Sequence, residues 1–215
     1  MTPGGLAWRR QPHESPRVLA ATIRFLIGLG LGVTLLPLCA WVFERAVRHA
    51  QAGLPEDPIA ALIGLLIGLA VIACWQPNWF VHTFLHESAH AIACVVLRVK
   101  LRSFRASHGK GGDVQFDACD PLRATLIAIA PYTLPLIPLP LLAAQQLAGH
   151  ASWRWALTLL AVWGLVAHLH GLWHNLRLNF SARDGDLATT GRLLGLVLIA
   201  CALLLTAAAA VRALW

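Results

Sequence analysis

Long apolar runs separated by short polar segments make up almost the whole chain. Runs of about 20 residues, the length that crosses roughly 30 Å of hydrocarbon, fall at 18–43, 58–75, 79–99, 122–147, 153–176 and 187–214. The pattern predicts an all-α polytopic membrane protein with about six transmembrane helices, forming one membrane domain over 1–215 behind a polar tail at 1–17. Tryptophans gather near the ends of the runs (Trp41, Trp75, Trp79, Trp153, Trp155, Trp173, Trp215), as in an interfacial aromatic belt. The fourth run carries Pro131, Pro135, Pro138 and Pro140, so a kinked or broken helix is expected there. Broken helices persist in membranes where protein or a watery cavity satisfies the freed backbone groups. An internal cavity near Tyr132 is therefore expected.

The segment 98–120 interrupts this pattern. It reads as a basic loop or a β-hairpin, because polar and apolar residues alternate on both sides of the turn-forming Gly109-Lys110-Gly111-Gly112. A short β-hairpin thus follows the third run.

Composition supports the membrane reading. The chain is 58% hydrophobic and 13% charged, against about 25% charged in soluble domains. The net charge of +7 comes from basic residues lying between apolar runs, as for loops facing an anionic leaflet. No nucleic-acid-binding module is present, so the partners expected are the lipid bilayer and a membrane protein or peptide. Cys39, Cys74, Cys94, Cys119 and Cys201 form no CxxC pair and give neither a disulfide framework nor a cysteine metal site. Arg9, Arg10 and Arg17 precede a full-length first run with no small-residue cleavage site after it. That run is expected to be a retained span. Eleven Lys and Arg residues fall in one set of alternate loops and six in the other, which places the hairpin in the cytoplasm and both termini outside. The expected location is an integral membrane position, in a bacterial inner membrane.

The third run contains His86-Glu87-Ser88-Ala89-His90. On a helix, residues four apart share a face, so two imidazoles can bind one Zn²⁺. Glu87 is placed to act on a metal-bound water as general base and then acid. A carboxylate within a membrane segment costs about 2–3 kcal/mol or more, which argues for function. His82 extends the same face, but residues eight apart lie about 12 Å apart along the axis, too far for one tetrahedral ion. A catalytic zinc needs a third protein ligand. Asp184 and Asp186, where the last run begins, are candidates, one as ligand and the other as helix cap. His168, His170 and His174 at the end of the fifth run are the alternative, with ligand spacing repeated at His170 and His174.

In this order of features the chain resembles the site-2-protease-type intramembrane metalloproteases, the M50 peptidase group. The features are His86 to His90, Gly109 to Phe116, Pro131 to Pro140, and Asp184-Gly185, spanning roughly residues 79 to 205. The resemblance implies zinc bound by His86, His90 and Asp184, with Asp186 the competing ligand, and Glu87 as acid/base. It also implies an asparagine that holds substrate or oxyanion, for which Asn175 and Asn179 are the candidates. The asparagine-proline pattern usual in that group is missing here, and its LDG reads Arg183-Asp184-Gly185-Asp186. The implied activity is zinc-dependent hydrolysis of peptide bonds in membrane-associated substrates.

Two rival readings belong to other classes. HxxxH spacings at His82/His86, His86/His90 and His170/His174 suit a di-iron membrane oxidase or desaturase, although its HxxHH cluster is absent. Intramembrane histidines and broken helices also suit a metal transporter, or a protease-like membrane scaffold without activity.

Overall fold

The computed structural model describes residues 14–50, 57–74, 79–107, 111–182 and 185–215. Most of the polar tail, the turn of the hairpin and Asp184 lie outside the described residues. The chain folds as helices with one small sheet: α1 (Glu14–Ala50), α2 (Pro58–Cys74), α3 (Trp79–Val96), β1 (Leu101–Ser107), β2 (Gly111–Phe116), α4 (Pro121–Thr133), α5 (Pro138–Leu147), α6 (Ala151–Asn179), α7 (Asp186–Thr190) and α8 (Arg192–Leu214).

Three of these helices, α1, α6 and α8, are long and apolar enough to cross a membrane. A fourth is reached if the bent pair α4 and α5 counts as one span. That is fewer than the six expected, and the reasons are physical. Helix α2 is apolar but has 17 residues, about 26 Å at 1.5 Å per residue. Helix α3 spends its length on His82, His86, Glu87 and His90. The expected break in the proline-rich run is present as a bend of 73° between α4 and α5. The last run is also divided, into α7 and α8, at Gly191, whose φ of +92° suits glycine.

Close helix contacts run through glycines, as expected where lipid offers no hydrophobic drive between helices. A Cβ on Gly28 of α1 would lie 2.8 Å from the backbone nitrogen of Leu194 in α8. Gly68 of α2 sits as tightly on Val166 of α6, and Gly64 still more tightly on the backbone of Leu159. The outward faces of α1 and α2 keep large apolar side chains exposed, among them Phe25, Val33, Leu62 and Leu66. Trp41, Trp153 and Trp173 are exposed as a belt requires.

Helix α3 ends in a left-handed residue, Arg98 (φ 55°). Val99 N–H donates to Cys94 O (2.8 Å) and Arg98 N–H to Val95 O (3.1 Å), the paired bonds of a Schellman cap. The cap turns the chain directly into the predicted hairpin. Its strands are antiparallel, with Phe104 opposite Val114, Arg105 opposite Asp113 and Ala106 opposite Gly112. Phe104 packs edge-on against Phe84 (5.7 Å between centroids), fastening the sheet to α3. Asp120 then caps α4, accepting from the backbone N–H groups of Leu122 (3.0 Å) and Arg123 (3.1 Å). These bonds, the Arg123 N–H first, hold its carboxyl below the ordinary aspartate range.

Behind the hairpin, α3 and α4 close on a core of Ala89, Ala93, Cys94, Val99, Ile127 and Ala130. A second core, Ile129, Tyr132, Leu172, Leu187 and Ile199, joins α4, α6, α7 and α8. His90 of α3 touches Ile127 of the first core, and His86 meets Tyr132 of the second.

Candidate metal centre

The helical turn of α3 stacks His86 above His90, with ring centroids 5.0 Å apart and planes nearly perpendicular (79°). His90 Nδ1 lies 2.7 Å from the carbonyl oxygen of Ile127 in α4. A carbonyl only accepts, so Nδ1 carries the proton and Nε2 presents its lone pair. This is how protein ligands are commonly oriented towards a metal.

Asp186 is brought to the same place by the first turn of α7. Its Oδ2 is 3.3 Å from His86 Nε2 and 3.7 Å from His90 Nε2. A tetrahedral ion with bonds of about 2.1 Å needs ligand atoms about 3.4 Å apart, and these two distances bracket that value. Ligand atoms of all three residues lie within 4.8 Å of one another. Two imidazoles and one carboxylate leave one position open on a four-coordinate ion, as catalytic zinc sites do. The donor set and its spacing therefore fit a divalent metal ion such as zinc.

Neighbouring groups hold the carboxylate in place. The hydroxyl of Tyr132, a side chain with no exposed surface, points at Asp186 Oδ2 from 3.4 Å, and its ring meets His86 edge-on. Gly185, the residue before α7, packs closely against Asn179. A Cβ there would lie 3.0 Å from Asn179 Oδ1.

Of the two aspartates considered from sequence, Asp186 is the one beside the histidines, and Asp184 lies outside the described residues. Asp186 does not cap α7; the N-cap position belongs to Gly185. Among the described residues, His168, His170 and His174 join no three-ligand group. His174 instead meets His82 edge-on at 5.3 Å.

Glu87 is buried and faces the hairpin. Its carboxylate rests directly on Gly112 of β2, where an added Cβ would overlap it. Together with His86, His174, Asn175 and Asn179 these residues line a cavity of about 450 Å³. Both asparagines thus reach the site, in different roles. Asn179 Nδ2 donates to the backbone carbonyl of Asn175 (3.1 Å). Asn175 Oδ1 is 2.8 Å from His82 Nε2, which leaves the Nδ2 end of Asn175 as the donor to the cavity.

Sequence reasoning did not find the contacts of Gly112 with Glu87, of Ile127 with His90, or of Tyr132 with Asp186. The glycine pair in the hairpin was the only signal for any of them. The expected cavity near Tyr132 is present at the bend between α4 and α5, lined by Pro131 and Leu134 among others. No protein-family model matches this chain, and comparison with curated proteins and with solved structures likewise gives no match.

Proposed function

We propose that the protein is an intramembrane zinc metalloprotease that hydrolyses peptide bonds of membrane-associated substrates. The observation that carries this reading is the convergence of His86, His90 and Asp186 within 4.8 Å, with a buried carboxylate, Glu87, on the residue next to the first ligand. Those three side chains would hold the Zn²⁺, which would supply Lewis-acid polarisation of a carbonyl and a more acidic water.

The residues of the chain then have distinct tasks. Glu87 accepts the proton of the attacking water at a carboxylate oxygen and returns it to the leaving amine nitrogen. Asn175 Nδ2 donates to the substrate carbonyl oxygen as negative charge develops on it. A helical substrate must unwind first, because its carbonyls are tied up in backbone bonds. The β2 edge at Gly111 and Gly112, which lines the larger cavity, suits capture of the unwound segment by strand addition. Burial of the site between the α3–α4 and α4–α8 cores supports chemistry at membrane depth.

The pairings expected of a di-iron site find less support. Among the described residues only one group of three ligands gathers, which favours a single ion.

The test is Glu87→Gln in purified, reconstituted protein. Zinc content by elemental analysis should stay at the wild-type level while cleavage of a transmembrane peptide drops by about 10³-fold, the middle of the range for loss of an acid/base group. Wild-type cleavage by this variant would refute the assignment.

A further inference from the structure

A second, smaller cavity adjoins the metal centre and has no part in the scheme above. It measures about 90 Å³ and lies in the angle between α4 and α5, closed by α3 on one side and α6 on the other. Leu134, Leu136 and Ile137 of the bend and Ala167 of α6 supply much of its wall. Its polar lining is limited to His82, His86, His168 and Asn175, and His82 and Asn175 are bonded to one another.

The small cavity and the larger polar one share three residues: His82, His86 and Asn175. That shared wall holds a metal ligand and the amide donor. A substrate whose carbonyl sits between them has its backbone in the polar cavity. One neighbouring side chain then falls at the mouth of the apolar one.

We propose that this cavity is the specificity pocket of the site and takes one branched aliphatic side chain, valine or leucine, from a residue flanking the cleaved bond. The inference rests on the protease reading and adds a substrate class to it.

Size and chemistry both select. At about 90 Å³ the cavity is well below the roughly 150 Å³ of a cavity known to bind benzene. That suits a valine or leucine side chain and is too small for a phenyl ring. Long cationic side chains are disfavoured, because the wall carries no carboxylate. The pocket exists because the chain bends at Leu134–Ile137 and because α6 presents the small residues Ala167 and Gly171 to it. A straight fourth helix would close it.

The experiment uses full-length, zinc-loaded protein in detergent and four peptidyl hydroxamates that differ only in one side chain: alanine, valine, leucine or phenylalanine. Calorimetry reads binding, so no cleavage is needed. In the wild type the valine and leucine compounds should bind about 10-fold or more tightly than the alanine compound, the discrimination that a few methylenes give, with phenylalanine weaker than leucine. Ala167→Leu fills the cavity and should reverse the order, leaving alanine tightest. Leu136→Ala enlarges it and should raise phenylalanine to the level of leucine.

An unchanged order in both variants, no dependence on side chain, or no measurable binding of any compound overturns the pocket. Cleavage assays on the same proteins separate the two ideas. The expected binding order in a protein that cuts no peptide refutes the protease reading and leaves the pocket standing. Cleavage that ignores the side chain refutes the pocket alone.

Discussion

Replacing Gly112 with alanine adds one methyl group at the point where the hairpin touches Glu87. The backbone tolerates it, since among the described residues the glycines with positive φ are Gly111 and Gly191 and not Gly112. The added carbon would lie 2.6 Å from Glu87 Cδ, whereas carbon atoms rest about 3.5–4.0 Å apart. Either the strand lifts or the carboxylate moves, by about 1 Å. A misplacement of 1 Å in a reacting group costs about 10²-fold in rate, or about 2.7 kcal/mol of barrier. The three atoms nearest the added carbon all belong to Glu87, so metal binding by His86, His90 and Asp186 should be untouched. The assay is cleavage of a transmembrane peptide by reconstituted Gly112→Ala protein, with zinc content and melting temperature measured alongside. The expected result is a kcat lower by about 100-fold at wild-type zinc content. A variant with full activity would show that the hairpin does not rest on Glu87 in the working protein. A loss that tracks zinc content would equally sink the reasoning, because it would move the effect to the ligands.

Asp186→Ala should lower zinc affinity by more than the 10–100-fold typical of lost supporting contacts, while Asp184→Ala should leave it unchanged; competition with a fluorescent chelator reads both. If His82 orients Asn175, His82→Leu should lower kcat with little change in KM. His82→Gln, which keeps a donor, should restore much of the rate, and equal loss in both variants would refute the positioning role. Arg98→Gly relieves a left-handed conformation that costs a residue with a side chain roughly 1–2 kcal/mol. Thermal unfolding should show a higher midpoint, and a lower one would refute the strain.

Much of this architecture is legible from local signals. The HExxH spacing fixes two candidate ligands because helical geometry alone puts them on one face. The hairpin is legible in its alternation and glycines, and the broken fourth span in its prolines. The number of spans was harder to read. An 18-residue helix rich in histidine and a 17-residue apolar one resemble full spans on a sequence plot, yet neither meets the length and apolarity of α1, α6 and α8. The division at Gly191 had a weaker signal, the Thr189-Thr190-Gly191 interruption of an apolar run. The third ligand illustrates a different limit. Asp184 and Asp186 are two residues apart, and which one faces α3 depends on how α7 packs through Leu187 and Gly195. Pairings such as Ile127 with His90 join residues distant in the chain and leave no trace in either segment.

The late position of Asp186 has a consequence for how the protein is made. His90 is followed by almost a hundred residues before the third ligand appears. At about 5–20 residues per second, the two histidines are synthesised several seconds before their partner. During that interval Glu87 has no completed metal site beside it. The carboxylate arrives on a five-residue helix seated against α8, so the three side chains come together only once α7 and α8 are in place. On the proposed reading, a metal ion is held by all three side chains only after α7 has docked. A nascent or truncated chain would carry the HExxH motif without the means to use it.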